Sequence, residues 1–309
     1  MKAPALCSVA LAFMAALMGG CGGQRESTVI VYCAQDQVFA EPLLAEFTRQ
    51  TGIKARAVFD SEAVKTVGLA NRLLAEKDHP QCDVFWGNEE LRTRQLAAQG
   101  VFRATNGFTM FGFRSRRIVI NTNKVSLAEA PRALAELTNA AWRGKVALAY
   151  PMFGTTATHF LALRQRWGDA AWQEWCRALQ ANKPFLVDGN SVVLKLVGQG
   201  EAWIGLTDSD DIAGGIREGL PLAAMPQTSE TLLIPNTVAV VRGAPHASEA
   251  ERLFQFLQRP EVAECLVKEA ALEGTQAGQS QGLQVDWEAL LHDLDAGTVV
   301  MRDIFLRRE

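Results

Sequence analysis

The 309-residue chain has few of the signatures by which a sequence announces catalysis or nucleic-acid binding. It has no H-E-x-x-H zinc pair, no G-x-x-x-x-G-K-[ST] phosphate loop and no G-x-G-x-x-G opening a helix. Its four histidines are scattered with no paired-ligand spacing. With 31 Lys and Arg against 34 Asp and Glu, the net charge is −3, and no basic stripe offsets it. A nucleic-acid partner held by phosphate neutralisation is therefore excluded. Six cysteines match no zinc or redox spacing, and no internal repeat is present. Tyrosine occurs only at Tyr32 and Tyr150. Beyond the first twenty residues, no apolar run is long enough to span a bilayer. What remains is a composition that builds a sizeable core, 48% hydrophobic and 21% charged, at a length of two ordinary domains. Such a chain points to a small partner.

Residues 1–20 read as a signal peptide. Lys2 is a minimal positive start, and Ala5 to Met18 is an apolar run of secretory length. Met18-Gly19-Gly20-Cys21 resembles a bacterial lipobox, so Cys21 is the expected lipidation site and residues 21–27 its tether. The plainer alternative is ordinary cleavage nearby, and either route exports the protein. The expected location is the periplasm or outer cell surface, as a membrane-anchored lipoprotein. Cys33, Cys82, Cys176 and Cys265 read as core cysteines.

From Thr28 the pattern alternates strand and helix. Thr28–Tyr32 is a β-branched run of the buried parallel kind, followed by an apolar stripe of Phe39, Leu43, Leu44 and Phe47 that starts late enough to admit Pro42. Lys54–Phe59 and Asp83–Trp86 read as further strands, each leading into a helix. Gly112–Ile120 is a long extended segment, and a second α/β series runs from Lys145 to about Gly219. Thr237–Arg242 is a single strand entered through a hinge-like Pro235-Asn236, and the remainder is helical. The expected architecture is α/β with two lobes, each a parallel-type sheet flanked by helices, joined by two crossing strands. Residues 28–117 plus 239–309 form the first lobe and 118–238 the second.

The stretches 31–40 (VYCAQDQVFA), 80–89 (PQCDVFWGNE), 153–159 (FGTTATH), 205–211 (GLTDSDD) and 234–237 (IPNT), in this order, resemble the extracellular solute-binding proteins of bacterial ABC importers, in particular the iron(III)-type subgroup. The resemblance runs from about residue 28 to the C-terminus. It implies a type II periplasmic binding protein, not an enzyme, without a cofactor. Its implied partners are a small-molecule or metal-ion ligand and an ABC permease with its ATPase. A monomer touching the membrane through lipid alone is expected.

Candidate ligand contacts follow from the rule that open parallel sheets bind ligands beyond the carboxyl ends of their strands. On the first lobe these are Asp36, Asp60, Glu62, Trp86, Asn88 and Glu89. On the second they are Tyr150, Thr155, Thr156, Asn190, Asp208 and Asp210. Each has a plainer reading. Thr155 and the acids are also ordinary residues at helix starts, Asn190 belongs to a common turn, and Trp86 also suits a core. His159 reads as a satisfied, partly buried histidine, and Arg114, Arg116 and Arg117 as solvent-exposed charge on an extended segment. Iron binders of the wider family commonly use clustered tyrosines, whereas this chain has Asp36-Gln37 where they often place His-Tyr. Ferric iron and an oxygen-rich iron or anion ligand both stay open. A non-transporting sensor lipoprotein is the competing function, with an enzyme on the same fold behind it.

Overall fold

The computed structural model describes residues 27–59, 65–103, 107–275 and 282–306. Strands β1 (Thr28–Cys33), β2 (Lys54–Val58) and β3 (Val84–Gly87) alternate with helices α1 (Gln37–Thr51), α2 (Lys65–Ala75) and α3 (Glu90–Ala98). The long β4 (Thr109–Asn121) leads to β5 (Val146–Ala149), α4 (Gly154–Trp167), α5 (Asp169–Ala181), β6 (Phe185–Val187) and α6 (Asn190–Gln199). Then come β7 (Ile204–Asp208), α7 (Ser209–Arg217), β8 (Leu222–Ala224) and β9 (Leu233–Val240), with α8 (Ala247–Leu257), α9 (Pro260–Lys268) and α10 (Trp287–Leu306) closing the chain.

The sheet order is β2-β1-β3-β9-β4-β7-β5-β6, with β8 on β4. Two parallel groups, β2-β1-β3 and β7-β5-β6, are bridged by β9 and β4, which run antiparallel to their neighbours. β4 changes partner within its own length. Its residues Thr109 to Ser115 pair with β9, and Arg116 to Ile120 pair with β7. The two halves of the molecule therefore share a strand at Ser115-Arg116.

Period-two alternation on the buried strands decides which core each side chain enters. Val29, Val31 and Cys33 of β1 pack with α1 and α8, while Tyr32 and Ala34 pack with α2 on the opposite face. In the second half, Val146 and Leu148 of β5 join the cluster under α4 and α5, and Ala147 joins the one under α6.

The structure corrects several expectations. Pro42 lies inside α1, which begins five residues earlier at Gln37. Pro235 and Asn236 lie within β9, so the segment read as a hinge entering the strand is part of the ladder. α8 packs on β1, β3 and β9 and α9 on β4, but α10 lies on α4 and α5, with Leu290, Leu294, Met301 and Phe305 in the second-half core. The apolar face of α10 is completed there by Phe160 and Trp175, so the chain end does not return wholly to the first lobe. None of the four described cysteines forms a disulfide, and Cys265 is exposed rather than in the core.

Candidate functional site

A cleft with a cavity of about 80 Å³ opens between the two halves at the carboxyl ends of the parallel strands. The first half contributes Asp36 from the β1–α1 junction, Val67 of α2 and Asn88 after β3. The floor is Arg114 on β4. From the second half come Tyr150 after β5, the start of α4 from Phe153 to Thr156, the turn Asp188-Gly189-Asn190 entering α6, and Asp208, Asp210 and Asp211 at the start of α7. Four helices, α1, α4, α6 and α7, thus begin at this cavity, and their N-termini each carry about half a positive charge in unsatisfied N–H groups.

At α4 the first intrahelical bond runs from Ala157 N to Phe153 O, so the amides of Gly154, Thr155 and Thr156 precede any helical acceptor. Gly154 has φ +52°, and nothing lies within 4 Å of where its Cβ would project. A side chain there would be strained and would enter the open space of the cleft.

The strongest electrostatic feature lies just beneath the wall. Asp208 is buried, and its carboxylate accepts from Arg114 Nη2 (3.2 Å), Arg116 Nη1 (2.8 Å), Thr155 Oγ1 (3.0 Å to Oδ2) and Asn190 Nδ2 (3.1 Å). Burial alone would raise its proton affinity, but the two guanidiniums override it and hold the group below the ordinary carboxylate range. Asp210 goes the other way. Burial pushes its carboxyl up to about 7, with Asp208 and Asp36 adding to the rise and Arg114, 3.5 Å away, opposing it. Arg114 is itself held firmly charged: burial acts against its charge, but Asp210, Asp208, Asp36 and Asp211 outweigh it. Its Nη1 is buried without a hydrogen-bond partner in a residue that lines the cavity.

Of the twelve candidate contacts, Asp36, Asn88, Tyr150, Thr155, Thr156, Asn190, Asp208 and Asp210 line the one cavity. Asp60 and Glu62 lie outside the described residues, as does Cys21. Trp86 is fully buried against Phe111 in the first-half core, away from the cleft. Glu89 is also placed elsewhere. Its carboxylate caps α3 by accepting from Leu91 N (2.8 Å) and Arg92 N (2.9 Å), and takes the Thr158 hydroxyl at 2.6 Å. Tyr32 is buried and donates to Glu76, so Tyr150 is the one tyrosine at the cavity. His159 is buried, its Nε2 2.7 Å from Glu230 O, and burial holds it neutral by lowering its pKa to about 3.

Arg114 and Arg116 are the residues that sequence reading misplaced: they are 3% and 1% exposed. The reason is that the starts of α4, α6 and α7 pack over this face of β4, and Thr155, Asn190 and Asp208 take up the guanidiniums. Their i, i+2 spacing on one strand face beside an Asp-rich helix start was the available signal. Arg117, on the opposite face, is partly buried and pairs with Glu273 at 2.8 Å. One pentapeptide, Gly278-Gln279-Ser280-Gln281-Gly282, carries the G-x-S-x-G spacing, but no described strand leads into it and most of it lies outside the described residues.

Residues 29–269 match the family model of the bacterial extracellular solute-binding proteins. The chain belongs to that family. Among relatives of this binding protein, the Fe(3+)-binding periplasmic protein of Serratia marcescens is 28% identical over 201 residues, covering 59% of this chain and 57% of the relative. The alignment thus spans little more than half of that protein. Iron-bound HitA from Pseudomonas aeruginosa superposes with a TM-score of 0.79 at 18% identity, covering 91% of this chain and 100% of HitA. AfuA from Actinobacillus pleuropneumoniae, with exogenous fructose-6-phosphate bound, gives 0.78 at 18% identity over 91% and 100%. At these identities the structural likeness is one of fold, and it is the two-lobed periplasmic binding protein fold. No helix among the described residues is long and apolar enough to cross a membrane.

Proposed function

We propose that this binding protein is the solute-capturing component of an ABC importer, and that its solute is an oxygen-rich anion, taken up alone or as its ferric complex. The observation that carries this is Arg114: a buried, firmly charged guanidinium with its Nη1 unused, in a residue that lines the cavity together with the helix starts of α4 and α6. A preorganised cation and first-turn amides suit a phosphate or carboxylate group. Asp36 of the first half and Asp211 of the second suit a metal carried by that anion, or the hydroxyls of a polyol, which donate to carboxylates. Walls from both halves favour closure of the lobes around the solute, which stabilises the closed state by differential affinity. The closed complex then delivers to a permease and its ATPase. We further read residues 1–20 as an export signal and Cys21 as the lipid anchor of a monomer; Cys21→Ser should shift the protein from the membrane fraction to the soluble one.

A bare ferric ion is the second reading. Asp208, Asp210 and Asp211 offer oxygens all within 4.8 Å of one another, Tyr150 lines the same cavity, and the Serratia relative is named for Fe(3+). It is the weaker one because Asp208 is already occupied by two arginines, Thr155 and Asn190, and only one phenol reaches the cavity. Calorimetry with inorganic phosphate, fructose 6-phosphate, ferric citrate and ferric nitrilotriacetate separates the readings. An anion-bearing probe should bind, and Arg114→Met should weaken it about 10- to 150-fold, the loss of one charge-assisted hydrogen bond. Tight uptake of iron stripped from nitrilotriacetate, with Arg114→Met indifferent, would establish the second reading instead.

A further inference from the structure

We infer that Arg116 is the positioning residue of this cavity: it forms no part of the wall, yet it holds together the three loops that do. The inference rests on the cavity being the solute site. Arg116 is 1% exposed. Its Nη1 donates to Asn190 Oδ1 (2.8 Å) and Asp208 Oδ1 (2.8 Å), with Thr155 Oγ1 at 3.3 Å, and its Nη2 donates to Leu206 O (3.0 Å). Thr155 stands at the start of α4, Asn190 at the start of α6 and Asp208 at the start of α7. One guanidinium therefore touches every second-half loop of the cleft, and its bond to Leu206 O ties it to β7.

The three partners also hold one another. The Thr155 hydroxyl donates to Asp208, and Asn190 Nδ2 donates to Asp208 Oδ2 (3.1 Å) and to Thr155 Oγ1 (3.2 Å). The Thr155 hydroxyl and the Asn190 carboxamide are thus turned into the ring, and the solute meets chiefly the helix starts whose direction the ring sets. Arg114 is set by the same anion, since its Nε and Nη2 both reach Asp208 Oδ2. Nη1 serves the three loop acceptors while Nη2 holds Leu206 O on β7, and a fork of two nitrogens spans both; an ammonium, a single nitrogen, keeps the charge and loses that span. Charge alone would be kept by lysine, whereas positioning would not.

The test is Arg116→Lys, with Arg116→Gln/Asp208→Asn as the second variant, in which the two paired charges leave together and Arg114 keeps Asp210 as its ion partner. Hydrogen exchange of the ligand-free full chain reads the loops, and calorimetry with inorganic phosphate and ferric citrate reads the cavity. We expect segments 150–158, 188–193 and 206–211 to exchange faster together in both variants, with β1 and β9 unchanged, and affinity for the bound probe to fall at least about tenfold. Exchange changed in one segment only, or in none, overturns the inference; so does loosening of all three with affinity within about twofold of wild type. Should the wild type bind neither probe, the anion reading fails by itself, and joint loosening of the three segments still decides for or against Arg116.

Discussion

Glu89 and Asp208 occupy equivalent places in the two halves of the molecule, each following a buried strand at the start of a helix, and they do different things. Glu89 accepts from the backbone amides of its own helix and from the Thr158 hydroxyl, and burial raises its proton affinity against those bonds. Asp208 makes no side-chain cap to α7 at all; it takes two guanidiniums and is held below the ordinary carboxylate range. The difference comes from the neighbouring strand. At the end of β3 the register partner of Gly87 is Thr237 of β9, a small neutral residue, whereas the register partner of Asp208 is Arg116 of β4. A helix-start acid becomes a cap or a buried counter-ion according to what lies across the ladder.

The sharpest way to break this contrast is Asp208→Asn. It leaves Arg116 without its ionic partner and Arg114 with Asp210 alone, and breaking a buried pair in this way costs about 3–5 kcal/mol; chemical denaturation should show that loss, and a change under about 1 kcal/mol would mean that the guanidiniums find other partners. His159 sharpens the same side, because it lies beside Arg116 and is kept neutral. Its folded pKa, about 3, is below the ordinary 6.5, so between these values the unfolded chain binds a proton that the folded chain refuses. Stability should therefore be fully present above pH 6.5 and fall as pH drops toward 3. The slope should be about 1.4 kcal/mol per pH unit, and His159→Gln should remove that contribution in paired urea titrations at neutral and acid pH.

On the Glu89 side the expected effect is smaller. Glu89→Ala removes a cap and the Thr158 partner for about 1–2 kcal/mol, with probe affinity unchanged because the carboxylate does not face the cavity. A loss of binding that exceeded the loss of stability would return Glu89 to the site. Least of all should come from Glu269→Gln. The Arg217–Glu269 pair is 3.8 Å long and about half exposed on both sides, so thermal unfolding should register about 0.5 kcal/mol or less.

Much of the candidate site's placement is legible in the chain. Loops following parallel strands bind ligands for a reason of geometry, and eight of the candidates chosen on that rule line one cavity. Which atoms they offer was not legible. Thr155 and Asn190 stand where contacts are expected, but their polar ends turn inward to Asp208, 53 and 18 residues away in sequence. Trp86 sits where a short apolar strand makes core and cleft indistinguishable, and packing on Phe111, 25 residues further along, settles it. Arg114 and Arg116 depart furthest from expectation, since an alternating charged strand looks solvated until what packs over its face is known.

By itself the sequence determined the α/β alternation, the break in rhythm at β4, the family and the loops from which a site is made, because each depends on local periodicity and on residues close together in the chain. Tertiary structure alone decided that β4 is an interior strand, that α10 lies against α4 and α5, and that the positive charge of β4 faces the acids of α7. Those are questions of which strand lies beside which. Pairing between distant segments sets burial, and burial sets whether a charged side chain is solvated or held as part of a site.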